Sequence, residues 1–176
     1  MQKIITIDPD LCTGCRSCEM VCSLGHDQMC GPLLSRITIS QWGEISAYVP
    51  IVCQHCEEPV CETVCPTKAR KRVPETGAMI TDEKVCVGCK SCIYACPFGA
   101  PSVNPLMGKA MTCDLCAGDP LCVLVCMPGA LQFTRSERAS LEKKRRTASQ
   151  FVDLKKRGGL RGMRDTSHKL QGGSGA

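Results

Sequence analysis

A chain of 176 residues with a formal net charge of +5 has room for one compact unit or two small ones, and its six aromatic side chains make it poor in conventional core material. No segment approaches the roughly 18 consecutive apolar residues of a membrane helix, which excludes direct insertion into a bilayer and leaves a membrane complex reachable only through a partner. Seventeen cysteines must supply cohesion instead, either as a disulfide scaffold or as metal ligands.

The first residues bear on that choice. Met1-Gln-Lys-Ile-Ile-Thr-Ile-Asp8 has no apolar run ahead of a small-residue cleavage site and no twin arginine, and Asp8-Pro9-Asp10 cuts off its one apolar stretch. The expectation is a cytoplasmic chain whose thiols are kept reduced for metal.

Sixteen of the cysteines then fall into four sets, with Cys30 left over. Set one is Cys12, Cys15, Cys18 and Cys22, followed by Ser23. Cys30 reads as a small buried apolar residue. Next, Arg36–Ile39 and Ile45–Val49 alternate around Gln41-Trp-Gly-Glu44 like a hairpin inserted for a partner, with Trp42 at its tip read as ordinary packing. Set two is Cys53, Cys56, Cys61 and Cys65; His55 lies between two of its members and reads as a surface histidine. A short hairpin follows, Lys71–Val73 and Ala78–Ile80 about the turn Pro74-Glu-Thr-Gly77. Set three is Cys86, Cys89, Cys92 and Cys96-Pro97, the bacterial ferredoxin spacing in full, which set one repeats without the proline. Set four is Cys113, Cys116, Cys122 and Cys126, stretched like set two between its second and third members.

The spacing has a physical reason. Three cysteines on a tight loop reach three corners of a four-iron cubane while the loop amides face the sulfides; the fourth begins a helical turn and faces away, and in two-cluster ferredoxins it binds the other cluster. Gly14 and Gly88 permit the loop's backbone, and Ser17 and Ser91 let the amides approach. Structural zinc usually joins two Cys-x-x-Cys pairs, a poorer description of triplets with a displaced fourth cysteine. The sets also alternate in type: Cys12-Thr-Gly-Cys-Arg-Ser-Cys18 is like Cys86-Val-Gly-Cys-Lys-Ser-Cys92, and Pro59-Val-Cys-Glu-Thr-Val-Cys65 is like Pro120-Leu-Cys-Val-Leu-Val-Cys126, so a two-set unit has been duplicated. The hairpin between sets two and three resembles the one a two-cluster ferredoxin places between its motifs, which implies that they share one module, residues 53–99. Sets one and four then form the other, residues 1–52 with 100–133, which includes the inserted hairpin at 36–49.

With these motifs the chain, over about residues 1–133, resembles the four-cluster ferredoxin-like electron-transfer subunits of molybdenum and tungsten oxidoreductases and of some hydrogenase complexes. Cys113-Asp-Leu-Cys-Ala-Gly-Asp-Pro-Leu-Cys122 is most similar to the small subunit of tungsten-dependent aldehyde oxidoreductases. The resemblance implies an α+β fold of two bacterial-ferredoxin-type modules and four [4Fe-4S] clusters. It also implies cross-ligation: Cys12, Cys15 and Cys18 with Cys126; Cys113, Cys116 and Cys122 with Cys22; Cys53, Cys56 and Cys61 with Cys96; Cys86, Cys89 and Cys92 with Cys65. Ser23 after Cys22 and Met127 before Pro128 depart from the family pattern.

Charge divides the sequence. Residues 1–134 hold 10 Lys and Arg against 13 Asp and Glu, and residues 135–176 hold 12 against 4. Four clusters of charge about −2 would take the first region from −3 to about −11, beside a tail of +8. Thr134-Arg-Ser-Glu137 reads as a capping box opening a basic helix that ends at Gly158-Gly159, so residues 134–176 form a helical tail with a disordered end. The expected function is relay of single electrons between a molybdenum or tungsten catalytic subunit, an aldehyde oxidoreductase among them, and a flavin, ferredoxin or quinone partner. Neither a catalytic motif nor a nucleic-acid partner is expected. A flavoprotein subunit and self-association through the tail are the further partners, and a hydrogenase or formate dehydrogenase complex is the alternative setting. The reading from a different class is a zinc-stabilised nucleic-acid-binding or scaffold protein.

Overall fold

Thirteen short elements thread between the cysteine sets: β1 (Lys3–Ile7), α1 (Ser17–Asp27), β2 (Thr38–Trp42), β3 (Ala47–Ile51), α2 (Val60–Thr63), β4 (Arg70–Arg72), β5 (Met79–Thr81), α3 (Ser91–Tyr94), β6 (Ser102–Val103), β7 (Ala110–Met111), α4 (Leu121–Leu124), β8 (Leu131–Arg135) and α5 (Ser136–Lys156). The structure, a computed structural model, describes residues 2–156. The protein separates into a body, Met1–Ser136, and a second unit that starts at Glu137.

The strands form four two-stranded antiparallel ribbons, β1 with β8, β2 with β3, β4 with β5 and β6 with β7. Two of these ribbons are copies of one another. Arg70 opposes Thr81 and Lys71 opposes Ile80 in the β4–β5 ribbon; Leu131 opposes Ile7 and Gln132 opposes Thr6 in the β8–β1 ribbon. Arg70 and Leu131 each stand five residues after the last cysteine of a set, and Thr81 and Ile7 each stand five before the first cysteine of the next. The same backbone bond closes both, Asp82 N–H to Ala69 O at 2.7 Å and Asp8 N–H to Ala130 O at 2.8 Å. Set four thus leads through β8 and β1 to set one as set two leads through β4 and β5 to set three. The β8–β1 ribbon thereby joins the two sequence ends of the body.

The core is small and built partly from the cysteines themselves. Ile5, Ile37, Ile39, Val52, Ala78, Met79, Leu115 and Leu131 pack with Cys18, Cys22, Cys53, Cys113 and Cys122, and a second cluster holds Ala69, Ala110, Cys86 and Cys92. The inserted hairpin β2–β3 is fixed by Glu19, a buried carboxylate of α1 that accepts the Ile39 N–H at 2.7 Å. Its tip does not pack as expected, since Trp42 is 61 % exposed.

The β6–β7 hairpin was not expected from the sequence. Its turn, Asn104-Pro-Leu-Met-Gly108, repeats the Val73-Pro-Glu-Thr-Gly77 turn: the Gly77 N–H donates to Val73 O and the Gly108 N–H to Asn104 O, both at 2.8 Å. The shared Pro-x-x-Gly is the signal that marks it. Thr134 is also not a helix cap. It lies in β8 opposite Ile4, and α5 begins two residues later at Ser136. The expected helix end at Gly158-Gly159 and the expected disordered end lie outside the described residues. None of the described helices is long and apolar enough to cross a membrane.

Ile5 is 1 % exposed in the ribbon that joins the two ends of the body. Ile5→Ala removes about 2–4 kcal/mol of burial and packing, which lowers the apparent melting temperature of the anaerobic protein by roughly 5–10 °C. Leu33→Ala, at a 77 % exposed site, should leave it within about 2 °C.

Candidate metal centres

In all four loops the residue two places after the first cysteine turns left-handed: Gly14 (φ 70°), His55 (φ 48°), Gly88 (φ 69°) and Leu115 (φ 60°). Glycine adopts this conformation without penalty, whereas His55 and Leu115 must be held in it. Both are enclosed, at 1 % and 0 % exposure. The Met79 N–H donates to His55 Nδ1 at 3.0 Å, and the His55 carbonyl accepts from Gln2 Nε2 at 3.0 Å. His55 is therefore a buried structural residue and not a surface one. Burial, with Arg72 and Arg70 nearby, lowers its pKa to about 4, so it is neutral at pH 7. Arg72 fastens the same loop from outside by donating to the carbonyls of Cys56 and Gly77.

Three cavities of similar size lie among the loops, each ringed by four cysteines from two sets. Cys12, Cys15, Cys18 and Cys126 line one of about 330 Å³. Cys22, Cys113, Cys116 and Cys122 line one of about 290 Å³, and Cys65, Cys86, Cys89 and Cys92 one of about 300 Å³. Of the four remaining cysteines that belong to the sets, Cys53 lies within electrostatic reach of Cys61 and Cys56. Among the described residues, the cysteine sulfurs nowhere gather as three within 4.8 Å of one another. Four thiolates on a single zinc ion stand about 3.8 Å apart, so these rings are too wide for mononuclear zinc. Four sulfurs drawn from two sets around each cavity fit a multinuclear iron-sulfur core; His26 and Asp114 also line the Cys22 cavity, where they gather with Cys116 within 4.8 Å.

Two kinds of sulfur line the cavities. Burial pushes Cys18 and Cys122 up to about 12 and Cys53 to about 11, and it raises Cys113 strongly. At the surface the Ser17 amide and hydroxyl lower Cys15, and the Ser91 hydroxyl and amide lower Cys89. Backbone amides also point at sulfur, Arg36 N–H to Cys22 at 3.3 Å and Ala69 N–H to Cys65 at 3.2 Å. Crowded buried thiols of this kind give up their protons when a cation arrives, so metal loading releases protons. The exposed cysteines Cys15 and Cys89 lie on different cavities.

His26, to which sequence reasoning assigned nothing, lies in the wall of the Cys22 cavity. Its Nε2 reaches Asp114 at 3.0 Å and its Nδ1 reaches the Cys22 carbonyl at 2.8 Å. The hydrogen bond to Asp114, then those to Cys116 and Cys22, hold the imidazole charged. Its place four residues after Cys22, on the same helix face, was the available signal. Cys30 is exposed and not the buried apolar residue expected. His168 lies outside the described residues.

Comparison with known proteins agrees with this donor chemistry. A family described as "4Fe-4S dicluster domain" matches residues 45–136, and one described as "4Fe-4S binding domain" matches residues 4–25. The sequence is 39 % identical over 122 residues to the polyferredoxin-like subunit of aliphatic sulfonate oxidoreductase from Pyrococcus furiosus, covering 69 % of this protein and 70 % of that one. It is 33 % identical over 157 residues to the thiosulfate reductase electron transfer subunit PhsB of Salmonella typhi, covering 81 % and 80 %. It is 34 % identical over 179 residues to the electron transport protein HydN of Escherichia coli, covering 86 % and 100 %.

A Cβ on Gly88 would stand 2.5 Å from the Gly108 carbonyl oxygen, whereas one on Gly99 (φ 62°) would meet nothing within 4 Å. Each alanine pays about 1 kcal/mol for its left-handed backbone, but only Gly88→Ala must also displace main chain beside a cysteine loop. Gly88→Ala should lose up to about four iron per molecule on anaerobic purification, and Gly99→Ala should match the parent protein in an iron assay.

Proposed function

Since this protein belongs to the 4Fe-4S dicluster family, we propose that it is the electron-transfer subunit of an oxidoreductase complex and carries four [4Fe-4S] clusters. The observation that carries this reading is the three cavities ringed by four cysteines each, every one with its fourth member drawn from a different set. On this reading Cys12, Cys15, Cys18 and Cys126 hold one cluster, and Cys22, Cys113, Cys116 and Cys122 a second. Cys53, Cys56, Cys61 and Cys96 hold a third, and Cys65, Cys86, Cys89 and Cys92 a fourth. When bound, each supplies one-electron redox chemistry without proton transfer to substrate.

The protein's own residues hold these sites in file. Cys122 is within electrostatic reach of Cys18, Asp114 of His55, and Cys92 of Cys61. The file therefore runs from the set-one site through those of sets four and two to that of set three. Its ends come to the surface at Cys15 and Cys89, where a partner's redox centre can approach.

One partner is a catalytic subunit with a molybdenum or tungsten cofactor, in keeping with relatives that are subunits of aliphatic sulfonate oxidoreductase and thiosulfate reductase. An aldehyde oxidoreductase is the specific candidate from the Cys113–Cys122 motif, and a flavin, ferredoxin or quinone carrier is the partner at the other end. The basic tail, residues 135–170, clasps an acidic face of the catalytic subunit or the next copy of this protein. The setting is cytoplasmic, where thiols stay available to iron.

Anaerobically purified and reconstituted protein should hold about sixteen iron and sixteen acid-labile sulfide per molecule, with visible absorption that dithionite bleaches. About twelve or fewer of each after full reconstitution would refute the four-cluster reading.

A further inference from the structure

Arg70 is the largest fully enclosed side chain among the described residues. Its Nη1 donates to Thr81 Oγ1 at 2.6 Å and to Thr112 Oγ1 at 2.8 Å, and its Nη2 donates to Cys61 Sγ at 3.7 Å. Its Nε is buried without a partner, and no carboxylate among the described residues stands within ion-pair distance of it. A guanidinium keeps its charge when buried, and an enclosed cation with no counter-ion is strongly unfavourable. Something at this place must balance it.

The surroundings say what does. Arg70 lines the cavity of Cys65, Cys86, Cys89 and Cys92, while its bond to Cys61 ties it to the ligand set of the neighbouring site. Its field also reaches Cys53 and Cys92, opposing the burial that pushes those thiols up. The fold alone does not require it. In the first module the same register position holds Leu131, 3 % exposed and opposite Ile7, so an apolar residue serves that ribbon.

We propose that Arg70 is the potential-setting residue of the second module, a fixed enclosed charge shared by its two cluster sites that raises both reduction potentials above those of the first module. This rests on the four-cluster reading given above. Reduction adds one negative charge to a site, so a cation held beside it and a charge-assisted N–H bond to its sulfur both favour the reduced state. Around the first module's cavities the charges come in both signs. Arg36 lines the Cys22 cavity, Glu19 is enclosed beside Cys18, and His26 is paired with Asp114. With clusters bound, an electron arriving at the Cys15 end would settle toward the Cys89 end; one electron would leave a first-module site and one second-module site would gain it, with no bond or proton moved.

The test is an anaerobic redox titration of the intact complex, followed by electron paramagnetic resonance, with iron counted in each sample. A parent protein short of iron would count against the cluster reading itself, separately from Arg70. With iron content preserved, Arg70→Gln should lower the potentials of two sites, leave the others in place, and narrow the spread between the highest and lowest. Arg70→Lys, which keeps the charge, should stay near the parent values. The inference is overturned if Arg70→Gln moves no potential, if Arg70→Lys falls as far as Arg70→Gln, or if the sites that move are already the lowest in the parent. Should Arg70→Gln lose iron, Arg70→Lys decides alone: potentials held near the parent support a charge effect, and potentials that fall overturn it.

Discussion

Crowding of cysteine sulfur around shared cavities is the constraint on which the rest of this fold depends. Burial raises the thiols of Cys18, Cys53 and Cys122, and neighbouring sulfurs add to it, so the buried thiolates are favourable only around a cationic core. Aiming three sulfurs inward from one loop demands a left-handed residue two places after the first cysteine. Gly14 and Gly88 meet that demand cheaply, while His55 and Leu115 meet it through burial. The loops also leave few residues for ordinary packing, which is why cysteines make up part of the core itself.

The two matching ribbons, β4–β5 and β8–β1, meet the same constraint with different chemistry. They share register and closing hydrogen bonds, yet one places Leu131 against Ile7 and the other Arg70 against Thr81. Two ribbons of like register thereby place an apolar side chain in one and an enclosed cation in the other. Thr112, which accepts from Arg70 and donates to the Met79 carbonyl at 2.9 Å, directly precedes Cys113, so the same contact links the halves of the body.

Much of this was legible in the sequence because ligand spacing is a local property. The four sets, their alternating types and the β4–β5 hairpin could be read from short stretches, and the β2–β3 insertion from its alternation. What escaped depends on distant partners. His55 looked like a surface residue because nothing nearby in sequence announces the Met79 amide or the shell that encloses it. His26 offered only its place four residues after Cys22, and its partner Asp114 lies 88 positions away in sequence. Thr134 had the residue type of a cap but is paired with Ile4, from the other end of the body. The β6–β7 hairpin is a different kind of miss, since its Pro-x-x-Gly turn was there to be matched to the first.

The central claim is that a cluster takes its fourth ligand from a set other than the one that supplies its first three. An anaerobic crystal structure phased on the anomalous scattering of iron tests it most directly. The account predicts Cys126 Sγ bonded to the iron core held by Cys12, Cys15 and Cys18, with Cys22 on the core held by Cys113, Cys116 and Cys122. Density joining Cys126 to the core of Cys113, Cys116 and Cys122 would contradict it.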